Sequence, residues 1–440
     1  MEVELINEYL KEVSLLFKDI NHERNKEVFS PEFELPNIDN KLIEFFSVAR
    51  AEFCSLGSYK GKNITLLNLM KNEETQTTKT LASLLMVARA INHINKTGES
   101  ILIFTPSSGN KAIALRDAVN RALEIGLVNH TQLRILTLIP EKSVHKVRAS
   151  KLTTNKLLNK LNPICVYKGA ESQQVKTIGC DFYTNYSKEI FERSNTRVWY
   201  SLDINNYKVA DALRAYFCYH YFPSNQQEKR QLHAHSVSSA YGLLGYDFGK
   251  KKIENETNQS ISSGYLLIQH LDTCDMVLSL LYGSFSRKLM PKYTLDKSTG
   301  LFKQLNNHFP LETWDVNESL ESTFYTHKPS TSFEMNSLIE VNGGSGIVVS
   351  MYECIKNIGK IREMLKPAGI HIPIDIRDIN EWSLIMAFTG VINSVDRGII
   401  NEFDDIVIHG SGFYTKMDYE SVNKNIIHYV ASHEDIISLV

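Results

Sequence analysis

Lys79 stands in the segment Glu74-Thr75-Gln76-Thr77-Thr78-Lys79-Thr80, directly before Leu81 to Ile91, an apolar run with helical periodicity. The pattern predicts a largely buried helix with Lys79 in its first turn. An amine held there is partly desolvated and lies at the positive end of the helix. Both effects favour the neutral form and lower the pKa, as attack on a carbonyl to form an imine requires. A plain solvated lysine at a helix start shows the same local pattern, so a second group must give Lys79 its task.

That group comes 31 positions later, at Asn110. Gly98 reads as a helix stop, Ile101 to Phe104 as a short buried strand, and Ser107-Ser108-Gly109-Asn110 as the turn into a helix from about Lys111 to Ile125. A strand, a turn of small residues and a helix make an anion site, because N–H groups and hydroxyls at the helix start can hold a carboxylate or a phosphate. The Asn110 amide can hydrogen-bond a phenolic oxygen. By itself the turn is also an ordinary loop.

Together, Lys79 and the Ser107 to Asn110 loop resemble the fold-type II pyridoxal phosphate (PLP) enzymes, the family of threonine synthase, cysteine synthase and the tryptophan synthase β-subunit. The likeness is nearest to a diverged threonine synthase-like protein. It implies PLP as cofactor, bound as a Schiff base on Lys79, with Ser107, Ser108 and Gly109 on the substrate carboxylate and Asn110 on the cofactor's phenolic oxygen. The segment Gln231 to Lys250 reads as strand, hydroxyl-rich turn and helix, and looks like the phosphate cradle of threonine synthase. Ser236, Val237, Ser238, Ser239 and Ala240 would wrap the phosphate, with serines where the family places glycine or asparagine. A rival for that role is Val341-Asn342-Gly343-Gly344-Ser345-Gly346-Ile347, richer in glycine; chain order favours the serine turn. The segment Ile406 to Thr415 is similar to the one whose hydroxyl meets the pyridine nitrogen. His409 aligns with that hydroxyl, and Ser411 lies just beyond it. An imidazole there can donate to the ring or share its proton; a core histidine bonded to backbone has the same sequence signature.

These groups need elements to carry them. Residues 1–40 read as an amphipathic helix and a polar stretch, an N-terminal extension. From Ile101 to about Tyr167, strand and helix alternate: Ile101 to Phe104, Lys111 to Ile125, Arg134 to Ile139, Ser143 to Leu161, Ile164 to Tyr167. This predicts an open parallel layer, and Arg197 to Ser201 begins a second series. The expected fold is α/β, with two open twisted domains and the cofactor in the cleft between them. Residues 83–195 would form the smaller domain with the Ser-Gly-Asn loop, and residues 41–82 and 196–440 the larger PLP-binding domain. Thr326 to Ser332 reads as a substrate-side loop.

Composition sets the outer bounds. The chain has 440 residues, 43% of them hydrophobic, enough to bury two domain cores. With 48 Lys+Arg against 50 Asp+Glu, nothing favours binding to nucleic acid or to an anionic membrane. The six cysteines are dispersed with no CxxC pair, and the first residues carry no signal-peptide pattern, so reduced thiols in a cytoplasm are expected. No apolar run reaches the ~18 residues of a membrane span. His220, His233 and His235 lack a fourth ligand at a recognised spacing, so no metal is expected. No Walker or strand-linked GxGxxG motif is present. Within these bounds, the resemblance implies a homodimeric PLP-dependent lyase or transferase, performing β- or γ-elimination or replacement on a small amino acid in specialised biosynthesis. A non-catalytic PLP-fold binding or regulatory protein is the alternative.

Overall fold

The computed structural model describes residues 1–21, 28–169, 174–201, 205–222 and 230–440. The chain divides into two compact units, one of residues 1–3, 51–70 and 214–415, the other of residues 4–50, 71–213 and 416–440. Each is built on a largely parallel sheet. Among the described residues no helix is long and apolar enough to cross a membrane.

In the first unit a seven-stranded sheet runs in the order Glu2–Glu4, Arg50–Tyr59, Lys62–Asn68, Asp405–Gly410, Gln231–Ser236, Ser263–His270, Gly344–Val349. The last five strands are mutually parallel. Ser263–His270 is buried at every position, as a strand covered on both faces must be, and its centre, Tyr265 to Ile268, is apolar for that reason. The register aligns the strand ends: Gly410 faces Asn68, Ser236 faces Ile268, and Val349 faces His270. The loops after these strands therefore leave from one end of the sheet. The helix Ser383–Asp396, buried from Ser383 to Ser394, packs on this sheet.

The second unit has a five-stranded parallel sheet in the order Ile427–Val430, Ile164–Tyr167, Leu133–Pro140, Ser100–Pro106, Thr196–Tyr200. The strands Ser100–Pro106, Leu133–Pro140 and Ile164–Tyr167 and the Asn110–Ile125 helix lie where the periodicity predicts them. The expected helix over Ser143 to Leu161 is instead broken into a 3-10 turn Glu141–Lys146 and short helices Lys151–Thr154 and Lys156–Leu161. The breaks come from local side-chain caps: the Asn155 side chain accepts the N–H groups of Leu157 and Leu158, and Ser150 and Thr153 form a capping box.

The domain boundaries also differ from those expected. Lys79 belongs with the Ser107 to Asn110 loop in the five-stranded unit, not with the larger sheet. Residues 196–213 join them because Thr196–Tyr200 pairs with Ser100–Pro106. Residues 416–440 return to the same unit because Ile427–Val430 pairs with Ile164–Tyr167. Residues 4–21 are no separate extension either: Leu5 N–H donates to Ala49 O at 2.7 Å within that unit. A sheet edge accepts a strand from anywhere in the chain, so local pattern does not reveal these pairings.

Gly390 lets the Ser383–Asp396 helix approach the larger sheet, since a Cβ there would lie 2.6 to 2.8 Å from the side-chain carbons of Ile268. We expect Gly390→Val to lower the urea midpoint, costing about 1–3 kcal/mol by overpacking. A midpoint equal to that of the wild type would show that this contact is slack.

Candidate active site

Lys79 is the first residue of the Lys79–Thr97 helix. The turn before it is tied by hydroxyls. Thr80 donates to Thr77 O at 3.0 Å, so in the 2.5 Å contact between Thr75 and Thr80 the Thr75 hydroxyl is the donor. Gln76 sits at φ +48°, a left-handed conformation that a side chain disfavours. The half-buried Lys79 places Nζ 5.1 Å from the centroid of the Tyr207 ring, and Nζ of Lys111 lies 5.7 Å from the same centroid. Lys111 also donates to Ser201 O. The ring face gives two neighbouring amines a common electrostatic partner.

The Ser107 to Asn110 loop leaves the carboxyl end of Ser100–Pro106, and Asn110 opens the next helix. Gly109, at φ +143°, takes a turn closed to other residues. The Ser107 oxygen accepts the N–H groups of Gly109 and Ala112, each at 3.1 Å. Ser107 therefore holds the turn itself through its oxygen lone pairs, while its hydroxyl proton is not used by these two bonds. Ser108, half-buried, is the more open hydroxyl of the loop, and its carbonyl accepts from Ser143 Oγ at 2.5 Å.

In the seven-stranded unit, the serine turn leaves the carboxyl end of Gln231–Ser236 and enters the 17-residue helix Tyr241–Thr257. Its five residues divide by their hydrogen bonds. Ser236 Oγ donates to Ser383 O at 2.6 Å, and Val237 N–H donates to Ile268 O at 2.9 Å, so both donors are spent on the fold. The hydroxyls of Ser238 and Ser239 and the N–H groups of Ser238, Ser239 and Ala240 have no partner among the described residues. Ala240 takes φ +52°, so the chain makes the left-handed bend without the glycine that would make it cheaply. Convergent unpaired donors at a helix start fit the phosphate of PLP.

The rival glycine run stands at the other end of the same sheet. Asn342 ends the helix Ser332–Asn342, and Gly344 begins the strand Gly344–Val349. A Cβ on Gly344 would lie 2.0 Å from Tyr265 O, so the run serves close strand approach.

His409 is fully buried on Asp405–Gly410, and its ring nitrogens are both engaged. Arg214 Nη1 lies 3.3 Å from His409 Nδ1, and His409 Nε2 lies 3.0 Å from His233 Nδ1. A guanidinium can only donate, so His409 accepts at Nδ1, carries its proton on Nε2, and donates to His233. His233 then carries its own proton on Nε2, which has no partner among the described residues; its ring lies 4.0 Å from the Tyr246 ring. His409 is thus a link in a buried chain, not a donor held out to a cofactor ring, and the expectation from its place in the sequence is corrected accordingly. Burial, with His233, Arg214 and His235 nearby, pushes the His409 imidazole well below its ordinary range, and burial with Lys250 brings His233 down to about 3. Ser411, also buried, follows the end of the strand.

Local sequence pattern did not disclose Arg214. Its signal is Gly242: a Cβ there would lie 2.6 Å from Arg214 Nη1, so the glycine seats the guanidinium under the first turn of the helix. A second missed pair is His327 and Asp275. His327 Nδ1 donates to the buried Asp275 Oδ2 at 3.2 Å, and Lys328 N–H donates to Asp275 Oδ1 at 2.9 Å. The same loop is tied to the serine turn, because Thr331 Oγ1 donates to Ser239 O at 2.7 Å. Among the described residues no group of three His, Cys, Asp or Glu side chains is placed to hold a metal ion.

His233 is neutral when folded down to about pH 3, but an unfolded histidine takes a proton below about 6.5. The unfolded state then binds the extra proton, so this residue's contribution to stability is whole above about pH 6.5 and is lost as the pH falls towards 3. Wild type should therefore lose stability more steeply than His233→Asn, by about 1.4 kcal/mol per pH unit between pH 6 and 4. Parallel urea titrations of the two proteins at several pH values give the slopes, and equal slopes would refute a buried neutral His233.

Two solved structures show the same fold. The crystal structure of threonine synthase from yeast aligns with a TM-score of 0.53 and 11% identity, covering 88% of this chain and 79% of that one. PLP-bound threonine synthase from Brucella melitensis aligns with a TM-score of 0.53 and 10% identity, covering the same shares. The fold is therefore the α/β fold of the fold-type II PLP enzymes. A search of the curated proteins finds no match. One family model spans nearly the whole chain, residues 2–440, and the protein belongs to that family, described as a family of unknown function (DUF6002).

Proposed function

We propose that the protein is a PLP-dependent lyase or transferase that eliminates or replaces a group at Cβ or Cγ of a small amino acid. The unpaired donors of Ser238, Ser239 and Ala240, at a helix start within a fold-type II scaffold, carry this reading. The bound cofactor would supply an electron sink for negative charge developing at the substrate Cα.

This chain's residues divide the remaining work. Ser238, Ser239 and Ala240 bind the phosphate through hydroxyls and N–H groups, with Ser236 and Val237 fixing the turn from behind. Lys79 Nζ would hold the cofactor, and its amine would be the base that takes the proton from the substrate Cα. The Ser108 hydroxyl and the backbone around Gly109 orient the substrate carboxylate, and Asn110 donates to the phenolic oxygen. Ser411 meets the pyridine nitrogen in place of His409, whose nitrogens serve Arg214 and His233. The likeness to a diverged threonine synthase, a role in specialised amino-acid or natural-product biosynthesis, and a cytoplasmic homodimer complete the reading. The alternative, a non-catalytic PLP-fold binding or regulatory protein, draws support from Ala240, which holds a left-handed turn where glycine would be relaxed.

Titrating the purified protein with PLP should give a visible band that borohydride abolishes, with the added mass on the Lys79 peptide. Lys79→Ala should lose the band and lower turnover by at least about 10²-fold. A Lys79→Ala protein as active as wild type would sink the enzyme reading, and retention of PLP without turnover on any amino acid would favour the alternative. Ser411→Ala should shift the band and its pH dependence; an identical spectrum at every pH would exclude Ser411 from the ring.

A further inference from the structure

The loop that leads into Lys79 borders a cavity that the proposed chemistry does not use. It has a volume of about 260 Å³ and lies in the five-stranded unit, lined by Glu74, Arg116, Asp117, Arg121, Arg148 and Lys151 among others. Two of its guanidiniums, those of Arg116 and Arg121, are incompletely served. Arg116 donates from Nη1 to Asn162 O at 3.0 Å, but Arg116 Nε and Nη2 and Arg121 Nε are buried with no partner among the described residues. Arg116 is only 5% exposed, and burial lowers its guanidinium to about 10, still charged at neutral pH. The acids on the walls offset this only in part: Glu124 is paired with Lys151 at 2.9 Å, and burial raises the Asp117 carboxyl above its ordinary range. Buried, unpaired donors on cationic groups are what an oxyanion satisfies.

The walls of this cavity also grip the lysine loop. Arg148 donates to Glu73 O at 2.9 Å, to Thr75 O at 3.2 Å and to Gln76 Oε1 at 3.0 Å. Asp117 Oδ2 accepts from Asn72 Nδ2 at 3.0 Å, and Asn72 Oδ1 accepts the Glu74 N–H at 3.2 Å. The loop between these grips contains Gln76 at φ +48°, a conformation that persists only because its surroundings hold it. A ligand drawing on Arg148 and on the neighbours of Asp117 acts on the segment three residues before Lys79.

We propose that this cavity binds a small oxyanion, a phosphate or a dicarboxylate, and that its occupancy sets the order of the 72–78 loop. The binding stands on this cavity alone; a regulatory consequence for catalysis rests on the reading of Lys79 as the cofactor lysine. The coupling is a difference in how well the ligand suits two loop states, and it works in both directions.

Calorimetric titration of the full chain in a chloride buffer, with inorganic phosphate in one arm and succinate in the other, tests the binding. Saturable binding of either is expected, weakened at least tenfold in Arg121→Gln and unchanged in Ser238→Asp, which closes the serine turn to anions instead. Hydrogen exchange in peptides covering residues 72–78 should slow at least threefold on binding in wild type and not in Arg121→Gln. Circular dichroism melts confirm that both variants fold. Absence of saturable binding in both arms, or equal binding by Arg121→Gln, would overturn the site. Loss of phosphate binding in Ser238→Asp alone would move the anion to the serine turn and overturn it equally. Binding with unchanged exchange would overturn the coupling. None of these readouts needs PLP, so they stand apart from the outcome of the Lys79→Ala experiment.

Discussion

Parallel pairing forces the chain to cross over after each strand, and the crossovers that matter here leave from the carboxyl ends. Ser107 to Asn110 follows Ser100–Pro106, the serine turn follows Gln231–Ser236, and Ser411 follows Asp405–Gly410. At such ends the strand has exhausted its ladder partners while the next helix has not yet begun its own, so backbone donors converge without internal acceptors. The same register that aligns Ser236 with Ile268 sends Gly343 to Gly346 to the amino end, where a glycine-rich sequence meets no such convergence.

Hydrogen-bond accounting then separates the residues that build the site from those left open to a ligand. Ser107, Ser236 and Val237 look like ligands in sequence, yet each spends a polar group on the fold. Ser238 and Ser239 keep their donors, although the Ser239 carbonyl accepts from Thr331. Beneath the turn, the direction of donation runs one way, from Arg214 to His409 to His233, because a guanidinium cannot accept. The chain fixes each tautomer and keeps both imidazoles neutral, so the support under the turn is a rigid, uncharged pair of rings ending against Tyr246.

Much of the local structure was legible before any coordinates. The helix starting at Lys79, the strand and helix around Asn110, and the strand, turn and helix around Ser236 follow from apolar periodicity and small-residue turns, which are local in sequence. The helix expected over Ser143 to Leu161 failed because Ser150 and Asn155 cap locally and break a pattern that hydrophobicity alone carries through. The domain boundaries failed for a different reason: the strands Thr196–Tyr200 and Ile427–Val430 choose their sheet by pairing across long sequence separations.

The amino-acid sequence by itself determined the α/β class, the position of Lys79 at a helix start, and the small-residue turns that end strands, since these depend on neighbours a few residues away. Only the tertiary structure decided which of those turn residues remain available, that Arg214 lies against Gly242 and His409, and that Arg148 and Asp117 hold the lysine loop. A hydrogen bond is a pairing between two places, and its far partner is set by packing. The sequence names the donors, and the fold assigns their acceptors.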